Sequence, residues 1–168
     1  MERLNIITGV NPISFRQCIT EEDVKFCLQM RHKIYCEDLE FISTNEIGEE
    51  SDEHDTSALH YIIENNGVAI GCFRLVLDCT THIASMIENK GVYEISRFII
   101  EPKHRSPQML TDAILSMRTM MVSSGLTPAC MTMMPAFARF LKSRGISIEP
   151  KSEYFMLNGK RRVYQYKD

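Results

Sequence analysis

Residues 59–78 read LHYIIENNGVAIGCFRLVLD, two apolar runs on either side of Asn65-Asn66-Gly67. An Asn-Gly pair between β-branched and aromatic residues is a strong hairpin signal, because both central positions of the tight turn need a positive φ. Two antiparallel strands are expected here. Downstream, GVYEISRFIIEP at 91–102 reads as a further strand, interrupted by polar residues and stopped by Pro102. Upstream, an apolar alternation from Ile13 to Ile19 precedes Thr20-Glu21-Glu22-Asp23, a capping box with acidic residues in the first helical turn. Val24, Cys27, Leu28, Ile34 and Tyr35 then recur at helical spacing to about Cys36, with Arg31 on or beside the apolar stripe.

The second half continues the alternation of strands and helices. Met109, Leu110, Ala113, Ile114, Met117, Met120 and Met121 mark a core helix over 107–124, and PACMTMM at 128–134 is a buried strand. PAFARFLKSRGI starts a helix at Pro135 and closes it at Gly145, and EYFMLNGKRRVYQY at 153–166 is a second hairpin around Asn158-Gly159. Residues 80–90 read as a short helix or loop. The predicted order is strand, helix, hairpin, strand, helix, strand, helix, hairpin, which makes residues 1–168 one α/β domain without repeats or linkers.

The length of 168 residues, with 44% hydrophobic and 24% charged residues, excludes a disordered or fibrous chain. No apolar stretch approaches the roughly 20 residues that span a bilayer, and the first residues, MERLNIITGVNP, resemble neither signal peptide nor anchor. Stable membrane insertion is therefore not expected, and neither is a nucleic-acid partner. The cysteines at 18, 27, 36, 72, 79 and 130 contain no Cys-x-x-Cys pair and read as thiols of a cytoplasmic protein; no metal-site spacing is present. The net charge of −3 hides an asymmetry. Residues 1–100 hold 8 basic and 17 acidic residues, a balance of −9, and residues 101–168 hold 11 and 5, a balance of +6. Such a split suits one face that gathers carboxylates and another that meets an anionic partner.

Three polar clusters interrupt this pattern. Residues 37–55 form a long acidic stretch that ends in Glu50-Ser51-Asp52-Glu53-His54-Asp55, and loops of this length are usually functional or disordered. Arg74 lies inside the apolar run Gly71 to Val76. Glu94, Ser96 and Phe98 share one face of their strand under simple alternation, with Ile95 and Arg97 on the other. Buried charges need partners, so Arg31, Arg74 and Arg97 with Asp52, Asp55 and Glu94 suit a mutually compensating ionic network. Such a network fits a structural role as well as a cleft that binds substrate and carries a base.

These motifs resemble those of the acyl-homoserine-lactone autoinducer synthases, the N-acyl amino acid synthases and the exosortase-associated acyltransferases, all of the GNAT superfamily. The resemblance rests on Arg31 with Tyr35 and Phe41, on the Glu-x-Asp-x-x-Asp spacing of residues 50–55, on Gly71 to Leu75, and on Glu-x-Ser-Arg-Phe at 94–98. It covers residues 31–98 in order; over 101–168 it is one of fold only. Tyr93 and Phe41 stand where the lactone-making members often carry Trp. The resemblance implies a GNAT-like α/β fold, with a central, mixed, mostly antiparallel twisted sheet flanked by helices.

It also implies transfer of a fatty acyl group from a thioester to the amine of an amino acid or related small molecule. Glu94 would be the base, Arg97 would orient the network or hold a substrate carboxylate, and backbone N–H groups near Phe98 and Ile99 would meet the oxyanion. Arg31, Tyr35, Phe41, Asp52, Asp55 and Arg74 would shape the acceptor site. Met131, Met133, Met134, Phe137 and Phe140 would line the acyl channel, although core packing explains them equally well. Residues 101–108, EPKHRSPQ, occupy the place of the glycine-rich pyrophosphate loop of coenzyme A-dependent relatives but contain no glycine. Acyl-phosphopantetheine on acyl carrier protein is therefore expected as donor ahead of acyl-CoA, and no permanently bound cofactor is expected. Lys103, Arg105, Arg139, Lys142, Arg144 and Lys151 surround the expected donor entrance, where an acidic carrier protein would dock. A GNAT enzyme using acetyl-CoA and a non-catalytic domain that binds acylated carrier protein or lipid are the alternatives.

Overall fold

A computed structural model of the chain describes residues 12–77 and 91–166; Cys79 and the expected helix or loop at 80–90 lie outside them. Strand β1 (Ile13–Gln17) leads through the Thr20 cap, whose Oγ1 accepts from the Asp23 N–H at 3.2 Å, into helix α1 (Glu21–Arg31). The hairpin forms as the sequence predicts: β2 (Leu59–Asn65) and β3 (Val68–Leu77) turn at Asn66 and Gly67, with φ of 50° and 79°. Strand β4 (Tyr93–Ile100), helix α2 (Pro107–Ser123), strand β5 (Ala129–Met133) and helix α3 (Pro135–Ser143) follow. The last hairpin pairs β7 (Phe155–Met156) with β8 (Lys160–Tyr166).

With β6 (Ile148–Pro150), the strands form one open sheet in the order β1-β2-β3-β4-β5-β8-β6, and its only parallel neighbours among the described strands are β4 and β5. One face packs Phe73, Leu75, Ile95, Met131 and Tyr164 against Ala113, Ile114, Met117 and Met121 of α2 and against α3. The methionine stripe is thus core. The opposite face packs Ile62, Cys72 and Ile99 against Cys27, Met30 and Ile34. No described helix is long and apolar enough to cross a membrane.

Three details depart from the sequence pattern. Strand β6 (Ile148–Pro150) is too short for alternation to reveal it, and exists because β8 offers a free edge. Past Arg31 the helix widens into a π-helical turn over His32–Asp38, closed by Leu39 N–H donating to Ile34 O at 3.0 Å. The wider turn buries Ile34 and Cys36 while setting the Tyr35 ring under the Arg97 guanidinium, 5.8 Å from its centroid.

The third departure concerns β4. Its register with β3 shifts between Cys72 and Arg74, so that Arg97 and Phe98 together oppose Phe73, and Arg97 takes a φ of 54°. This β-bulge breaks the two-residue period. Arg97 therefore joins Glu94 and Ser96 on the α1 face, and Phe98 turns to the other, where its ring lies 6.4 Å from that of Phe73. The face assignment from simple alternation is corrected accordingly. Beside the bulge the two backbones come so close that a Cβ on Gly71 would lie 2.1 Å from Ile99 O, which is why glycine stands there.

Candidate active site

Three arginines converge on the α1 face from three elements, and the acidic loop between α1 and β2 answers them. Arg31 Nε donates to Glu50 Oε2 at 2.5 Å, and its Nη1 and Nη2 donate to Asp55 Oδ1 and Oδ2 at 2.6 and 3.0 Å. Arg74 forks onto Asp52 at 2.6 and 2.7 Å, reaches Asp55 Oδ1 at 2.7 Å, and donates from Nε to Ser96 Oγ at 3.0 Å. Arg97 donates to Glu50 at 3.0 and 2.8 Å and to Asp52 Oδ2 at 3.1 Å. Bidentate, charge-assisted pairs of this kind are the strong ones. Arg31, Arg74 and Glu50 are 1%, 2% and 4% exposed, so their charges persist only because the guanidiniums and carboxylates offset one another.

Glu50, absent from the sequence-derived set, bridges Arg31 and Arg97. Its signal was present, because it heads the same Glu-x-Asp-x-x-Asp spacing. The backbone reinforces the loop: Asp52 N–H donates to Asp55 Oδ2 at 2.8 Å, His54 N–H to Asp52 Oδ1 at 3.0 Å, and Glu50 N–H to Leu28 O of α1 at 3.0 Å. The long loop is therefore latched to the sheet.

Burial alone would raise the Asp55 carboxyl, but the Arg31 and Arg74 guanidiniums outweigh it and hold it below the usual carboxylate range. The same balance lowers Glu50, through Arg97 and Arg31, and Asp52, through Arg74. Carboxyls depressed in the folded state stabilise the fold above their ordinary values of 4.5 and 3.8, and this stabilisation is lost as pH falls through the lower folded values. The urea midpoint should therefore hold steady from neutral pH to about pH 5 and fall steeply below about pH 4. A midpoint insensitive to acid would contradict the network.

The site's cavity lies where β4 and β5 part. The two strands pair only over Tyr93–Ile95 and Ala129–Met131, and the bulge steers β4 away beyond that point. A cavity of about 400 Å³ opens there. Glu94, 3% exposed, faces it from β4 with Ile95, Ser96, Arg97 and Phe98; Met131, Thr132, Met133, Met134 and Phe137 face it from β5 and the start of α3. Tyr35, Phe41 and Ile42 close one wall, and Leu157, Asn158 and Arg161 of the last hairpin another, with Asn158 Nδ2 donating to Phe41 O at 3.4 Å. Burial pushes the Tyr35 phenol up to about 12, so at neutral pH it is an uncharged donor.

Of the residues singled out in the sequence, Glu94, Arg97, Phe98, Tyr35, Phe41, Met131, Met133, Met134 and Phe137 are brought together as lining of this one cavity. Arg31, Asp52, Asp55 and Arg74 stand behind the lining and hold it, and Ile99 follows the bulge, packed toward α1. Phe140 lies one turn beyond Phe137, their centroids 6.0 Å apart, and packs on the core instead of lining the cavity. Ser96, Thr132 and Arg161 are lining residues that the sequence-derived site set omitted. The basic residues spread over two segments: Arg139, Lys142 and Arg144 are exposed on and just after α3, while Lys103 pairs with Glu101 at 2.9 Å and Arg105 donates to Ile100 O at 2.6 Å. Lys151 pairs with Glu149.

The fold is that of the GNAT-like acyltransferase structures. Residues 30–114 match the family described as the acetyltransferase (GNAT) domain, and the chain belongs to that family. Over 101 residues it is 25% identical to an acyl-homoserine-lactone synthase of Vibrio anguillarum, a match covering 52% of each chain, so the chain spans about half the length of the curated relative it matches. Among solved structures it is similar in fold to the acyl-homoserine-lactone synthase LasI, with a TM-score of 0.73 and 10% identity over 92% of this chain and 88% of that one. It is also similar to the coenzyme A-dependent acyl-homoserine-lactone synthase BjaI, at 0.70 and 15% over 88% and 78%. FeeM, an N-acyl amino acid synthase from uncultured soil microbes, aligns at 0.65 and 13% over 92% and 90%.

Proposed function

We propose that the chain is an N-acyltransferase that moves a fatty acyl group from a thioester to the amine of an amino acid or related small molecule. The observation that carries this reading is the parting of β4 and β5 around a cavity that places a buried carboxylate, Glu94, beside a backbone bulge and a methionine- and phenylalanine-rich wall. The acyl chain runs along Met131, Met133, Met134 and Phe137, whose unbranched or aromatic side chains adapt to a flexible chain. Glu94 takes a proton from the acceptor's ammonium group, directly or through a water. The freed nitrogen lone pair forms a bond to the thioester carbonyl carbon. The carbon–sulfur bond then breaks, the nitrogen loses its second proton to give the amide, and that proton passes to the leaving thiolate. Backbone N–H groups near Phe98 and Ile99, at the end of the bulge, stabilise the intermediate oxyanion; one such donor contributes about 2.7–4 kcal/mol in other acyl-transfer sites.

Acyl carrier protein is the proposed donor. The segment between β4 and α2 contains no glycine to cradle a pyrophosphate, and α3 exposes Arg139, Lys142 and Arg144 to an acidic partner. The coenzyme A dependence of BjaI favours the second reading, an acyl-CoA donor in the same cavity. Release of free thiol from matched long-chain acyl-carrier-protein and acyl-CoA thioesters separates the two. Under the proposed reading the carrier-protein thioester has the higher kcat/KM. Replacing Arg139, Lys142 and Arg144 by Glu should then raise the KM for the carrier protein, most strongly at low salt, and leave the KM for acyl-CoA unchanged. An unchanged carrier-protein KM would move docking elsewhere.

A further inference from the structure

The charges around the cavity are not all accounted for by the latch. Arg31, Arg74 and Arg97 are met by Glu50, Asp52 and Asp55, three against three. The cavity wall brings two more charged side chains of opposite sign, Glu94 from β4 and Arg161 from β8. Arg161 is half-buried; Nε donates to Leu157 O at 2.5 Å, and no carboxylate pairs with it among the described residues. Burial accordingly lowers its guanidinium from the ordinary value, although an arginine remains charged.

Thr132 supplies a second unspent group. Its Oγ1 is buried and has no hydrogen-bond partner among the described residues, and Thr132 lines the same cavity. In the β5–β8 register Thr132 stands opposite Val163. Arg161, two residues before Val163, is therefore a same-face diagonal neighbour of Thr132, at about 7–8 Å between backbones. A planar fork and a hydroxyl on one face are donors from which a carboxylate can accept together. Arg97 suits this role less well, because its Nε and Nη2 are already bound to Glu50 and Asp52.

We infer that Arg161 and Thr132 form the subsite that holds the carboxylate of the acceptor, so that the acceptor is a zwitterionic amino acid held between Glu94 at its amine and Arg161 at its carboxylate. The inference rests on the acyl-transfer reading and names the acceptor's chemical class. A guanidinium binds a carboxylate bidentately, whereas a neutral carboxamide leaves the buried charge uncompensated. The site therefore rejects amides and simple amines.

The test measures acyl transfer from a long-chain acyl thioester to each common α-amino acid and to its α-carboxamide, in the parent, in Arg161→Gln and in Arg161→Lys. At least one amino acid should be acylated with a KM lower than that of its amide by on the order of tenfold to a hundredfold. Arg161→Gln should raise the amino acid's KM to the level of the amide while the donor KM stays put. Arg161→Lys, which keeps the charge and loses the fork, should recover part of the difference, and Thr132→Val should cause a smaller rise. Discrimination that survives Arg161→Gln, or a loss that falls on the donor KM, would overturn the inference. Thermal-shift titration with the same amino acids, with and without the acyl thioester, reads the subsite without turnover. Binding that depends on Arg161 but leads to no transfer would count against the acyl-transfer reading alone, and absence of amino acid binding would overturn the subsite.

Discussion

Replacing Glu94 by Gln should abolish measurable acyl transfer, a fall of on the order of a hundredfold to ten-thousandfold in turnover, while leaving the urea midpoint near that of the parent. The argument is one of charge at constant shape. Glutamine fills the same volume at the β4 wall and keeps an oxygen acceptor, so the packing of that wall survives. It cannot accept the proton that a protonated amine must lose before it attacks. Turnover and equilibrium unfolding measured on the same preparation separate the two effects. Unchanged turnover would remove Glu94 from the reaction and favour a water-mediated route that does not use it. Lost turnover with a collapsed midpoint would instead make it a structural residue.

Arg31→Met should destabilise the fold by about 3–5 kcal/mol, the largest stability loss expected of any single substitution in the site. Methionine fills the space of the side-chain stem but takes from Glu50 and Asp55 one cationic partner each and leaves them to Arg97 and Arg74, so two buried carboxylates are only partly compensated. Arg97→Met should cost less, because that guanidinium is 27% exposed and water partly replaces it. The acid limb of stability should also flatten in Arg31→Met. With one of their two cations gone, Glu50 and Asp55 titrate closer to their unfolded values, and less proton uptake is coupled to unfolding. A midpoint shift no larger than that of Arg97→Met, or an acid limb as steep as the parent's, would contradict the view that this buried network latches the loop.

How much of this was legible in the sequence follows from how local each signal is. The Asn66-Gly67 turn, the Thr20 cap and the methionine face of α2 are set within a few residues, and each appears where its pattern places it. The three arginines were also legible, because a guanidinium inside an apolar strand demands an anionic partner. Which carboxylate pairs with which arginine was not, since Glu50 and Arg97 lie 47 residues apart and meet only through the folded loop.

The bulge at Arg97 was hidden for a related reason. Strict alternation puts Arg97 opposite Glu94, and the register shift that reverses this is a property of two strands, visible only once Gly71 lies against Ile99. Arg161 was the hardest to see. It sits in a basic run, Lys160-Arg161-Arg162, within the second hairpin, and nothing local marks it as cavity lining until that hairpin folds over Phe41.

These residues converge on one claim, that the cavity between β4 and β5 joins an acyl thioester to an amine. The most direct test is mass spectrometry of organic extracts from cells expressing the chain beside cells expressing Glu94→Gln. The account predicts N-acylated species carrying a free carboxylate, or a product formed from one, in the first extract and not in the second. Their masses would give acyl chain and head group together. Extracts that match each other, both without such species or both with them, would contradict it.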